Sequence, residues 1–128
     1  MKAKCINLIG INPYRTKVLN LPNDFEDFSG IIDLDKDYGV YAIKTTKYCK
    51  HYLIYVSQHI FFVPSSCFKV FDSNIPEDWR EIDFNLDEIK HHLLGYKLLI
   101  NDRDHYDNLL LNDSEALMRF FKENNIFK

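Results

Sequence analysis

Asp33, Asp35 and Asp37 alternate in the run DLDKDYG, which ends on Gly39. Carboxylates at every second position are how a calcium-binding loop begins. Such a loop takes oxygen ligands at positions 1, 3 and 5, glycine at 6 and a bidentate glutamate at 12. Counted from Asp33, position 6 is Tyr38 and position 12 is Lys44, a cation where the closing carboxylate belongs. The following GVYAIKTT has the period-two, β-branched and aromatic pattern of a strand, not of the flanking helix the loop needs. The run is therefore expected to be a turn between strands, with no metal and no cofactor.

The other residues able to do chemistry are three cysteines and five histidines. Cys5, Cys49 and Cys67 are odd in number, far apart and form no C-x-x-C pair, which argues against a disulfide framework or a zinc knuckle. Cys5 and Cys67 lie in strand-like runs, where free cysteine behaves as a small buried hydrophobe. Cys67 with one of His51, His59, His91, His92 or His105 would make a nucleophile pair, but no family signature surrounds it. Asp102-Arg103-Asp104-His105 reads as a solvated helix start, since adjacent helical residues do not face one another. With four glycines and no phosphate-cradling loop, the chain is expected to be non-catalytic. A site assembled from residues distant in sequence stays open as the enzymatic or small-ligand alternative.

The acids are segregated. Residues 24–37 carry Asp24, Glu26, Asp27, Asp33, Asp35 and Asp37 against Lys36 alone, a net of −5. Residues 72–88 carry seven acids against Arg80, a net of −6, while residues 1–23 and 38–71 hold four cations each and no acid. A total of −3 thus hides alternating blocks, which either solvate loops or form a face complementary to a basic partner. The first candidate face is Asp24, Glu26, Asp27, Asp33, Asp35 and Asp37, with Phe25, Phe28 and Tyr38 as aromatic anchors. The rival is Glu77, Asp78, Glu81 and Asp83 around Trp79.

The elements that must position these residues follow from periodicity. KCINLIGI and TKVLNL read as strands, NDFEDFSG as an acidic loop, and IIDL, GVYAIKTT, HYLIYV, IFFV and CFKVFD as strands in close succession. Connections this short suit antiparallel neighbours. After Pro76 the period changes. Asn85-Leu86-Asp87-Glu88 has the form of a capping box, with Ile89 and Leu93 behind it and Gly95 as a stop, which predicts a helix. Tyr106, Leu109 and Leu110 suggest a second helix, and Asp113-Ser114-Glu115 with Leu117, Phe120 and Phe121 a third, ending at Asn124-Asn125. The 128 residues are expected to form one α+β domain, strand-rich over 1–84 and helix-rich over 85–128, with the helices on one face of an antiparallel sheet. No run approaches the ~18 apolar residues of a membrane helix, and MKAKCINLIGINPYR lacks a leader's apolar stretch. The protein is expected to be soluble and cytoplasmic.

The runs GVYAI, HYLIYV and FFVPSSCFKVFDSNIPEDW, followed by LLGYKLLINDRDHYDNLLLNDSEALMRFF, resemble small proteins encoded beside bacterial polymorphic and contact-dependent growth inhibition toxins. The resemblance is one of pattern and placement and covers roughly residues 30–122. It implies an immunity protein that binds one cognate toxin domain and blocks its active site or substrate surface, with no catalytic residues to carry over. Where the toxin is a nuclease, clustered carboxylates would meet its basic surface as nucleic acid does. The alternative from the residues is a nucleic-acid module on strands 41–55, where Tyr41, Tyr48, Tyr52 and Tyr55 interleave with Lys44, Lys47 and Lys50. The flanking carboxylates argue against phosphate as a partner. Oligomeric state is not legible.

Overall fold

The computed structural model describes residues 1–126. Ten strands and four short helices follow one another: β1 (Lys2–Cys5), β2 (Ile9–Ile11), α1 (Tyr14–Lys17), β3 (Phe25–Asp27), β4 (Asp37–Gly39), β5 (Ala42–Thr45), β6 (Lys50–Val56), β7 (His59–Pro64), β8 (Phe68–Asp72), β9 (Arg80–Leu86), β10 (Ile89–Gly95), α2 (Lys97–Asn101), α3 (Arg103–Leu110) and α4 (Ser114–Glu123). All the strand pairings are antiparallel. The central sheet has the order β7-β6-β5-β10-β9; β4-β1-β8 form a second sheet, and β2-β3 a two-stranded ribbon. The fold is α+β, with α2–α4 packed on one face of the central sheet.

Alternation along β6 sends its side chains both ways, and both ways are buried. Tyr52, Ile54 and Val56 join Val63 against Ala3 and Cys5 of β1, Phe68 of β8, and Phe28 and Ile32. Leu53 joins Ala42, Ile60 and Leu93 against Leu99, Leu109 and Phe120 of the helices. At about 25 cal/mol per Å², each such aliphatic side chain adds roughly 2 kcal/mol. The last two helices, α3 and α4, begin where the sequence places them. The Asp102 carboxylate accepts from His105 N at 3.1 Å to cap α3, and Asp113 accepts from Ala116 N at 3.1 Å to cap α4. The apolar stripe of α4 seats Phe120, fully buried, among Tyr41, Tyr55 and Tyr96. Among the described residues no helix is long and apolar enough to cross a membrane.

Five expectations about elements are corrected. The helix expected over 85–95 is instead the β9–β10 hairpin, so strands continue to Gly95 and the change to helix falls there, not at residue 85. Its turn residues Asp87 and Glu88 have φ of 53° and 63°, the left-handed pair of a two-residue hairpin turn. The capping-box pattern was a coincidence of an Asx residue and a glutamate; pairing with both β9 and β5 outweighs it. KCINLIGI divides into β1 and β2, which join different sheets. TKVLNL forms no strand: Tyr14–Lys17 is one helical turn, and the amides of Val18 and Leu19 donate back to Tyr14 O. IIDL is a turn, with the amides of Ile31 and Ile32 donating to Phe28 O. The acidic loop NDFEDFSG holds the strand β3 instead.

Glu88 occupies a left-handed conformation that costs a residue with a Cβ roughly 1 kcal/mol, and Asp-Gly is the preferred pair for this turn. Glu88→Gly is expected to raise the unfolding free energy by about 0.5–1 kcal/mol, read as a higher urea midpoint at unchanged slope.

Candidate functional site

The acids of the first candidate face divide by what they touch. Asp24 is half-buried and accepts from Thr16 Oγ1 at 2.6 Å and Thr16 N at 3.3 Å, tying the loop to α1. Glu26 turns inward and accepts from Asn12 Nδ2 at 2.7 Å. Asp27, Asp33, Asp35 and Asp37 are exposed. Asp27 accepts from Ser29 N at 2.9 Å; the Ser29 side chain first and then this amide hold its carboxyl below the usual range, and Asp37 lies 3.6 Å from Lys4 Nζ. Asp33 and Asp35 form no ion pair among the described residues. Within DLDKDYG the chain turns at Leu34 and Asp35, the latter at φ 64°, and Asp37–Gly39 is strand β4 rather than turn. Tyr38 is not a surface anchor: its ring is in the core, and its hydroxyl accepts from Asp33 N at 2.9 Å. Phe28 is core as well. Phe25, by contrast, is 58% exposed.

That exposure follows from the ribbon. In β2 only Gly10 is buried, because Pro64 stands where a Cβ would go, only 2.8 Å away. Ile9 and Ile11 therefore point outward, opposite Asp27 and Phe25 respectively. The outward face is two isoleucines and a phenylalanine edged by a carboxylate. Beside it the chain runs antiparallel to its own N-terminus: Phe28 N donates to Leu8 O and Asp35 N to Cys5 O, both at 2.8 Å. Asp27, Asp33 and Asp35 thus lie along one lane.

The rival acids lie on the opposite edge of the molecule's main sheet, on β9 and the turn before it. Glu77 and Asp78 are exposed there, while Trp79 between them and the strand is core. Asp83 accepts from His92 Nδ1 at 2.7 Å and pairs with Lys90 Nζ at 3.2 Å, and Glu81 sits 3.5 Å from His92 Nε2. Their charge is partly answered from the neighbouring strand β10.

A second constellation was not legible in the sequence. Lys44, His51 and His91 share the helix-side face of the sheet, since Lys44 pairs with His51 and Leu93, two residues from His91, also pairs with Lys44. α2–α4 cover the neighbouring Leu53 and Leu93, but residues 12–19 roof this end and leave a cavity of about 310 Å³. The Tyr14 hydroxyl donates to Asp87 Oδ2 at 2.8 Å and stands 3.5 Å from His91 Nε2. His91, 3% exposed, stacks on Phe84 at 5.2 Å. Lys44 Nζ lies 4.3 Å from the Phe62 ring centre, a cation–π contact. Burial, with Lys44's charge, lowers His51 to about 4 and also lowers His91, so both imidazoles are neutral at pH 7. Burial and the Asp87 carboxylate push the Tyr14 hydroxyl up to about 12.

The remaining chemistry-bearing residues are structural in placement. Cys5 and Cys67 are buried, and burial raises both thiols, Cys67 to about 11. Cys49, half-buried beside Glu26, also rises to about 11. Such thiols carry little thiolate. His105 is buried rather than solvated and shares a 2.8 Å hydrogen bond with the Tyr96 hydroxyl. Of the tyrosines over 41–55, Tyr52 is core and Tyr41 and Tyr55 pack on Phe120, so these three form no open stacking platform.

No protein-family model, curated protein or solved structure matches the chain.

The three buried or half-buried histidines with lowered values make the fold acid-sensitive. His51 is the clearest case. Its folded value of about 4 lies below the ordinary 6.5, so between the two the unfolded chain binds the extra proton and stability falls as pH falls. The loss from His51 is of order 3 kcal/mol at most across that window and nil above it. His51→Gln is expected to flatten the decline in urea midpoint between pH 7 and about 4.5 relative to the parent chain.

Proposed function

We propose that this chain is a non-catalytic binding protein that neutralises a cognate toxin domain by stoichiometric occlusion, as an immunity protein does. Its working surface is the outward face of the β2–β3 ribbon with Asp27, Asp33 and Asp35 beside it. The observation that carries the reading is Phe25: an aromatic ring exposed on a strand, directly opposite exposed Ile11, in a chain whose other large aromatics are mostly needed for packing. An apolar centre with a charged rim is the anatomy of a protein interface, and aromatic residues at the centre carry most of the energy. The carboxylates select a basic partner and speed its approach. A nuclease's phosphate-binding surface has that character. The partly answered charges of Glu81 and Asp83 make the rival group the weaker choice.

Calorimetric titration with the C-terminal domain of the polypeptide encoded immediately upstream tests this reading. One-to-one binding is expected, with Phe25→Ala weakening it by about 30-fold or more through faster dissociation. Replacing Asp27, Asp33 and Asp35 with lysine should slow association by roughly ten-fold or more at low salt and leave the unfolding free energy within about 1 kcal/mol of the parent. Unchanged binding in both variants would move the interface to the Glu77–Asp83 group. Absence of binding at any salt concentration, with both proteins folded, would sink the cognate-pair reading.

A further inference from the structure

The cavity under residues 12–19 is lined by two opposite charges that do not meet. Lys44 is half-buried with its ammonium 4.3 Å from the Phe62 ring centre, and no carboxylate of the described residues lies within ion-pair distance of it. Glu26 is near enough for its field to be felt at Lys44, but its carboxylate is held by Asn12. Asp87, exposed at the hairpin turn on the cavity's rim, has the Tyr14 hydroxyl as its hydrogen-bond donor and no cation of the described residues in ion-pair range. His91 stands between them and feels both, disfavoured as a cation by Lys44 and favoured by Asp87. Its Nδ1 is buried without a hydrogen bond of good geometry among the described residues, although the Leu86 backbone lies close enough to favour the charged ring. A half-buried ammonium and a buried ring nitrogen are normally answered by a partner.

A single anion in this cavity would answer Lys44 but face the carboxylates of Asp87 and Glu26. A single cation would answer Asp87 but face Lys44. A molecule carrying both charges answers both. Leu19 and Leu86, about half exposed, supply an apolar wall on the same cavity. At ~30 Å³ per non-hydrogen atom the volume of about 310 Å³ suits a molecule of roughly ten such atoms. We infer that this cavity binds a small zwitterion of the amino-acid class, its carboxylate toward Lys44 and His51, its ammonium toward Asp87, and an aliphatic side chain against Leu19 and Leu86. The site is independent of the toxin reading, although its roof continues from the strand that carries Ile11.

The experiment titrates the unmodified chain with L-leucine, with leucinamide, which lacks the carboxylate, and with N-acetylleucine, which lacks the ammonium. Nitrogen and proton shifts of the His51 and His91 rings and of the Asp87 amide are followed by NMR. Leucine is expected to give saturable shifts at these groups in the millimolar range or below, and each analogue to bind about ten-fold more weakly or worse, as loss of one charge-assisted hydrogen bond implies. Asp87→Asn, which still suits the left-handed turn, and Lys44→Met should each weaken leucine by about ten-fold. No saturable shift with leucine up to tens of millimolar overturns the proposal. N-acetylleucine or leucinamide binding as tightly as leucine overturns it too, by reducing the cavity to an anion or a cation site. Because the ligand comparison uses the unmodified chain, the result stands even where Lys44→Met fails to fold.

Discussion

Strand β6 has no polar side over its central residues, and the whole molecule is arranged around that fact. Tyr52, Leu53 and Ile54 are buried in succession, which alternating side-chain directions allow only if both faces of the sheet are covered. The β4-β1-β8 sheet covers one face and the C-terminal helices the other, so each is a lid for the same strand. The chain's N-terminal strands and C-terminal helices therefore pack on opposite faces of the same strand, in two apolar clusters.

The two lids are not equally complete. On the helix side, the apolar row Ala42, Leu53 and Leu93 gives way to Lys44, His51 and His91 within one step along the sheet. The helices stop at that boundary. A single helical turn and its flanking residues roof the polar end, held by the hydrogen bonds of Asn12 to Glu26, Thr16 to Asp24 and Tyr14 to Asp87. Polar cover over a polar sheet face packs less tightly than leucine on phenylalanine, and a cavity remains. The acids spent on this cover, Asp24 and Glu26, are withdrawn from the surface.

What the surface retains is set by the ribbon. Pro64 leaves no room for a side chain at position 10, which forces Gly10 inward and Ile9 and Ile11 outward. Register then places Phe25 opposite Ile11. An apolar patch results from a packing constraint on its reverse side, with carboxylates running along the adjacent lane. On the far edge, β9 carries acids that are met by His92 and Lys90, an arrangement that also blunts an edge strand against pairing with another chain. Segregation of charge along the sequence thus resolves into one open acidic lane and one exposed acidic edge that His92 and Lys90 partly answer.

Features written in contiguous residues were legible from the chain alone. The α+β class, β6 and β7, the caps at Asp102 and Asp113, the stripe Leu117, Phe120 and Phe121, and the turn at DLDKDYG all rest on short-range periodicity and turn chemistry. The hairpin at 85–95 was not, because Ile89, Leu93 and Leu94 satisfy a helical and a strand pattern alike, and partners on β5 and β9 decide between them. The exposed Phe25 and the buried Phe28 look alike in sequence; only pairing with β2 separates them. The cavity was the least legible of all. Lys44, His51 and His91 sit on three strands, and Tyr14 and Asp87 on segments 73 residues apart. Local sequence determines which conformations a segment can adopt and which acids carry charge. Strand register and the covering of a two-faced sheet are long-range packing events, and they alone decide which of those charges meet.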